Sequence, residues 1–192
     1  YLDAVFYPNI YQNESIFRQE GWHYELNDAE ELTVNGVVYN EMKGAYSSAE
    51  EVLQHEMTRS LLPHTTYACE SGGDPEAIPE LTYEAFLDFH RKYYHPSNSY
   101  IYLYGDMDMA EKLQFIDENY LSAFDALEID SEIREEPEFS QTNRVEREIP
   151  INEDEDEEEN TYLSLNMTAG SVLDREHYVA FQILDYALCS AP

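Results

Sequence analysis

Gly36-Val37-Val38-Tyr39-Asn40-Glu41-Met42-Lys43-Gly44-Ala45 carries one acid, Glu41, in a segment that is otherwise apolar on the side it must bury. Val37 and Val38 precede Glu41 at helical offsets and Met42 follows it, which gathers these side chains around one helical turn. The Val-Val-Tyr composition suits a strand equally well, so local preference leaves the element open. A carboxylate among such neighbours loses hydration, at considerable cost unless a cation or hydrogen-bond donors compensate. On the residues alone, the plainer outcome is favoured: a half-exposed glutamate on an amphipathic helix, paired with Lys43 or a distant arginine. The sharper alternative is a metal ligand.

The flanks add further words in order. Upstream are Tyr1-Leu2-Asp3-Ala4-Val5-Phe6-Tyr7-Pro8 and Gln19-Glu20-Gly21-Trp22. Downstream are Leu62-Pro63, Ser71-Gly72-Gly73-Asp74-Pro75, Ile78-Pro79-Glu80-Leu81-Thr82 and Tyr94-His95-Pro96-Ser97-Asn98. Together with the central stretch, these words resemble the presequence-protease branch of the insulinase-like (pitrilysin) zinc metallopeptidases, over roughly the first two-thirds of the chain. The resemblance implies that residues 37–46 are helical. It also implies a zinc site built from an inverted His-x-x-Glu-His motif and a downstream glutamate in the Asn-Glu-Met-Lys-Gly word. That glutamate corresponds to Glu41.

The His-x-x-Glu-His motif itself does not occur in these residues. Leu173-Asp174-Arg175-Glu176-His177 has leucine in the first histidine's place. His55-Glu56-Met57-Thr58-Arg59 begins like His-Glu-x-x-His but ends in arginine, which stays protonated and offers no lone pair to a metal. In the family the motif lies upstream of the Tyr-Leu-Asp-Ala word. The chain therefore reads as a piece of a longer enzyme that keeps one ligand, Glu41, of a site whose two histidines and general-base glutamate lie elsewhere.

The bulk composition bounds the rest. A chain of 192 residues with 43% hydrophobic and 14% aromatic content can bury a core. A net charge of −31 disfavours nucleic acid and anionic membrane surfaces as partners, and suits attraction of basic peptides. No apolar run reaches bilayer-spanning length. Cys69 and Cys189 are too few for a disulfide scaffold, so free thiols in a reducing compartment are expected.

In order along the chain, Leu2, Val5 and Phe6 mark a helix closed by Pro8, and residues 11–20 a second short helix leaving near Gly21. Residues 27–31 read as a loop, and Leu32-Thr33-Val34 as a short extended piece. Ser48-Ala49-Glu50-Glu51 is a capping box opening a helix with Leu53, Met57 and Leu61 in register and Pro63 as its stop. Residues 64–79 read as loop. The Ser71-Gly72-Gly73 segment lacks the lysine and the preceding strand of a phosphate-cradling turn, so an ordinary tight turn is expected. The family resemblance implies that a comparable loop packs near the active-site cleft. Thr82 caps a helix with Tyr83, Phe86, Leu87, His90, Tyr93 and Tyr94 on its apolar face. Residues 100–104 alternate as a strand, with Tyr100, Tyr102 and Tyr104 on one side and Ile101 and Leu103 on the other. Asp108 caps the next helix, with Leu113, Ile116, Tyr120 and Phe124 aligned. Residues 144–149 alternate like an edge strand, and Glu153 to Glu159 is an unbroken run of acids expected in a solvated loop. Leu163, Leu165 and Met167 mark another strand with one buried face, and Asp174 caps a final helix lined by Tyr178, Phe181, Leu184 and Leu188.

Helices and strands joined by short loops give an α+β class with helices on one face of a mainly antiparallel sheet. The resemblance makes residues 1–127 the later part of a first, metal-bearing repeat. It makes 128–160 an acidic linker and 161–192 the beginning of a second repeat. The six histidines form no local ligand set, and His90 is expected as a hydrogen-bonded core residue. By resemblance, the parent is a zinc endopeptidase that degrades short unfolded peptides in a closed chamber. It is expected to be cytoplasmic, with an organellar matrix as the alternative. These residues alone are expected to hold no zinc and cleave nothing. The competing expectation is a non-catalytic homologue that acts as a scaffold or peptide-binding subunit of a partner peptidase.

Overall fold

The computed structural model of the chain describes residues 1–149, 151, 153, 156, 158 and 160–190. Asp154, Glu155, Glu157 and Glu159 of the acidic run, and the terminal Ala191-Pro192, lie outside the described residues.

Seven α-helices, a two-stranded hairpin and several short 3-10 and π turns make up the regular structure of the described residues. Helix α1 (Leu2–Phe6) buries Phe6 and ends before Pro8. Pro8, at φ −66°, opens a 3-10 turn over Asn9–Tyr11, and Asn13 then caps α2 (Glu14–Glu20) by accepting from the Ser15 amide. The second helix thus starts later than the apolar spacing suggested, because the proline and the cap divide it. Strands β1 (His23–Leu26) and β2 (Leu32–Asn35) pair antiparallel with Tyr24 opposite Val34. In their loop, the Asn27 side chain accepts from the amides of Ala29 (3.0 Å) and Glu31 (2.9 Å). These bonds hold Glu30 at φ 60°, a left-handed conformation uncommon outside glycine and asparagine.

Helix α3 (Val37–Ala45) follows, so the central stretch is helical as the resemblance implied. Ser48 caps α4 (Ala49–Leu61), Thr82 caps α5 (Tyr83–Tyr93), Asp108 caps α6 (Met109–Asn119) and Asp174 caps α7 (Arg175–Asp185). Each of these four side chains accepts from the amide three residues on, so the N-caps read in the sequence form. The capping box at Ser48 is half made, because the Ser48 amide donates to the Ala45 carbonyl instead of Glu51.

The buried residues fall into small clusters. Phe6 and Tyr7 pack on Tyr120 and Phe124, joining α1 to the end of α6, and the Tyr120 hydroxyl donates to Asp3 at 3.1 Å. Phe17 of α2 meets Tyr83 and Phe86 of α5. The Tyr83 hydroxyl bonds the Ile10 carbonyl, and the Trp22 indole N–H donates to the Leu81 carbonyl at 2.9 Å. Met42 and Ile78 are buried against the adjacent glycines Gly72 and Gly73.

The mixed α+β composition holds, but among the described residues the expected helix-covered antiparallel sheet is reduced to a two-stranded hairpin. Residues 100–104, 144–149 and 162–168 carry no regular secondary structure, and the hairpin is the one sheet among the described residues. A strand must pair its N–H and C=O groups with a neighbour, and no described segment pairs with these three. The alternation is nevertheless real: Tyr102 and Tyr104 are more than 80% exposed, whereas Ile101 is 41% exposed and Leu103 is half-buried. Leu163, Leu165 and Met167 are exposed rather than buried, and the apolar face of α7 is exposed with them. Among the described residues, helices therefore pack on helices rather than on one face of a sheet.

Residues 125–149 run back across the helices as an irregular strap. The Leu127 amide donates to Ser97 Oγ and the Ser131 hydroxyl to Asn98 Oδ1. Glu136 is then held at His64, and Arg147 reaches to within 3.9 Å of Glu56.

Candidate functional site

Helix α3 is placed by its first residues. The Asn35 side-chain oxygen accepts from the Gly36 amide (2.8 Å) and from Asn40 Nδ2 (2.6 Å), tying the strand exit to the first turn. Gly36 lies directly on the preceding chain: a Cβ there would come 2.2 Å from the Gly21 carbonyl oxygen and 2.9 Å from Trp22 Cα. Only glycine allows so close a backbone approach. Further along, Met42 is the buried residue of the helix. Its thioether presses on Gly72, where a Cβ would meet the sulfur at 2.3 Å.

The Ser71-Gly72-Gly73 segment is thus a tight turn, and it packs on the helix that carries Glu41. Gly73 has φ +95°, and its amide donates to the Glu70 carbonyl at 3.1 Å. Asp74 closes the turn, with its backbone oxygen accepting from Ala77 and Ile78 and its side chain from Glu76.

Glu41 is exposed on α3, and its carboxylate has no hydrogen bond or ion pair among the described residues. Lys43, the expected local partner, lies instead over the Tyr39 ring, 6.0 Å from its centroid. The oxygens of Glu41 are therefore free to meet a cation. In donor chemistry this fits one position of a zinc site, since an ionised carboxylate is an ordinary zinc ligand. One carboxylate does not make a centre, and no group of three His, Cys, Asp or Glu side chains converges among the described residues.

The histidines are engaged elsewhere. His90 Nε2 donates to the Val5 carbonyl at 2.8 Å, so its Nδ1 accepts from the Tyr11 hydroxyl at 2.7 Å. The hydrogen bonding is as expected from its helix face, but the ring is half-buried rather than in the core. His23 bonds the Arg18 carbonyl, His95 caps the turn at Ser97, and His177 lies 3.9 Å from Asp174. His55 is 3.4 Å from Glu70, and His64 is held by Glu136.

Beyond the end of α3 lies a group that the sequence did not reveal. The Tyr46 hydroxyl is buried and has no hydrogen-bond partner among the described residues. Burial, reinforced by the carboxylates of Asp74, Glu70 and Glu56, pushes it up to about 12. Tyr46, Val52, Asp74, Pro75, Arg147 and Ile149 surround a cleft there, so the strap forms one wall. At the strap's middle anchor, His64 Nδ1 and the His64 amide both donate to Glu136, at 2.6 and 2.9 Å. These bonds hold the Glu136 carboxyl below the usual glutamate range. Tyrosine, acids and arginine at these positions are far apart in the chain, and no local spacing announces their meeting.

Comparison with known proteins adds the class. A family model described as the peptidase M16 inactive domain matches residues 80–191. The chain is 52% identical over 189 residues to protein HypA of Clostridium perfringens, covering 98% of this chain and 19% of that protein. It is 41% identical over 196 residues to presequence protease 1, chloroplastic/mitochondrial, of Arabidopsis thaliana, covering 100% of this chain and 18% of the relative. It is also 47% identical over 126 residues to the mitochondrial presequence protease of Drosophila melanogaster, covering 64% and 12% respectively. The chain spans about a fifth or less of the length of these relatives. It belongs to the M16 peptidase family, on the presequence-protease-like branch.

Proposed function

We propose that this chain is part of a zinc-dependent endopeptidase that degrades short unfolded peptides within a closed chamber, and that Glu41 is one of its metal ligands. The observation carrying this reading is the position of Glu41: exposed, unengaged, and on a helix clamped at both ends. The relatives named presequence protease, similar along the whole chain or most of it, support the peptidase class.

When bound, zinc supplies Lewis acidity to a scissile carbonyl and acidifies water. Glu41 contributes an oxygen donor and a negative charge that moderates the metal's own. The rigid seat of α3 keeps that donor from needing to be reordered on binding. In this reading, residues 1–127 complete the metal-bearing repeat, 128–160 link, and 161–192 open the next repeat. Its two histidine ligands and its general base belong to other parts of the polypeptide. The net charge of −31 suits basic unfolded peptides as substrates and disfavours nucleic acid and anionic membranes. The compartment we propose is the cytoplasm, since the 52% identical relative is bacterial; an organellar matrix is the alternative, and the names of the other relatives call them mitochondrial or chloroplastic/mitochondrial.

A second reading, a non-catalytic homologue serving a partner peptidase, is favoured by the word "inactive" in the matched model's description. That match begins at residue 80, downstream of Glu41. Zinc content of the full-length protein separates the two readings. Parent protein with one zinc and Glu41→Gln protein with little supports the peptidase, and zinc-free parent protein supports the homologue.

A further inference from the structure

We infer that Gly72 is a positioning residue for Glu41: the glycine turn sets where α3 lies and hence where the carboxylate points. This rests on the reading of Glu41 as a metal ligand. Glu41 has no hydrogen bond or ion pair among the described residues to orient it, so its direction is inherited from the helix. Neighbouring residues on a helix move together, and the residue next to Glu41 is Met42, the one α3 side chain that is buried. A Cβ on Gly72 would lie 2.3 Å from Met42 Sδ, 3.1 Å from Cε and 3.3 Å from Cγ.

The turn has no slack to give. Gly73 holds φ +95°, and a side chain on it would meet the buried Ile78 at 3.1 Å. Ile78 is in turn tied back by its amide to the Asp74 carbonyl at 2.8 Å. At the other end of α3, Gly36 rests on the Gly21–Trp22 backbone, which cannot rotate away as a side chain can. Met42 is buried, which leaves its side chain little room to swing aside, so pressure at Gly72 pivots the helix about its N-terminus and carries Glu41 with it. The tightness is local, because a Cβ on Gly44 in the same helix would meet nothing within 4 Å.

The test uses the full-length protein and reads zinc affinity by chelator competition, beside the unfolding midpoint of the metal-free form. Gly72→Ala is expected to weaken zinc retention about 10–100-fold, as loss of a ligand's supporting contact does, while the metal-free form still unfolds cooperatively at a modestly lower midpoint, as overpacking brings. Adding Met42→Val removes Sδ and Cε, and is expected to restore the affinity. Parental affinity in Gly72→Ala, with Met42 simply swinging aside, would overturn the inference while leaving Glu41 a ligand if Glu41→Gln loses zinc. Loss of zinc together with the fold, not rescued by Met42→Val, would make Gly72 a folding residue and likewise overturn it. Full zinc in Glu41→Gln would overturn the underlying reading and this inference with it.

Discussion

The Nε2 of His90 donates to the backbone carbonyl of Val5 at 2.8 Å, stitching α5 to α1 across most of the first half of the chain. Because that nitrogen must carry the proton, Nδ1 is left to accept from Tyr11, which fixes the ring from both sides. His90→Phe keeps the ring's bulk but orphans the part-buried Val5 carbonyl, at a cost of about 1–3 kcal/mol. The exposed His177 is a control, and His177→Ala is expected to change stability by less than about 0.5 kcal/mol. Thermal unfolding of both variants checks this, and equal midpoints would refute it.

Two glycines of the same stretch should respond in opposite directions. Gly36→Ala places a carbon 2.2 Å from the Gly21 carbonyl oxygen, and the overpacking costs about 1–3 kcal/mol or more. Gly44→Ala adds a carbon to open space in a helix, and should gain about 0.5–1 kcal/mol. Chemical denaturation of the pair gives the sign of each.

Tyr46 makes a prediction at alkaline pH. Its folded-state value of about 12 stands above the ordinary tyrosine value of 10.0. Between those values the unfolded chain gives up the proton and the folded one keeps it, so stability falls as pH rises through that window. Tyr46→Phe removes this part of the alkaline loss. It also deletes a buried hydroxyl without a partner among the described residues, so its stability at neutral pH should be equal or higher. The absorbance difference between the two proteins should show one late-titrating tyrosine; an ordinary titration near 10 would contradict the burial argument.

The strap anchor at His64 is tested from the acid side. Glu136 is held below the ordinary glutamate range by the two His64 donors. Its contribution is complete above the unfolded-state value and is lost as pH falls through the lower folded-state value. Carboxyl NMR titration should find Glu136 low in the parent and shifted upward in His64→Ala. Limited proteolysis should cut residues 125–149 faster in Glu136→Ala, and unchanged cutting would show that the anchor does not hold the strap.

How much of this was legible beforehand varies with the kind of interaction. Helix starts were readable because a cap is a local contract: Ser48, Thr82, Asp108 and Asp174 each bond an amide three residues away. The role of His90 followed from its face on α5. The hairpin was only half visible, since His23–Leu26 is too short and too polar to show a period. At 100–104 and 162–168, alternation told which residues share a face but not whether a partner strand is at hand. Glu41 stands out as a candidate ligand through resemblance alone, because nothing in its spacing distinguishes a ligand from a surface acid. The Met42–Gly72 contact could not be read, since a glycine adds nothing to any pattern of side chains.

In the complete polypeptide, we propose, the Glu41 carboxylate holds zinc. Zinc-edge anomalous diffraction from crystals of the full-length protein tests it directly. The account predicts a single strong peak at ordinary zinc–carboxylate distance, about 2.0–2.2 Å, from a Glu41 oxygen. A zinc peak elsewhere, with Glu41 pointing into solvent, would contradict it.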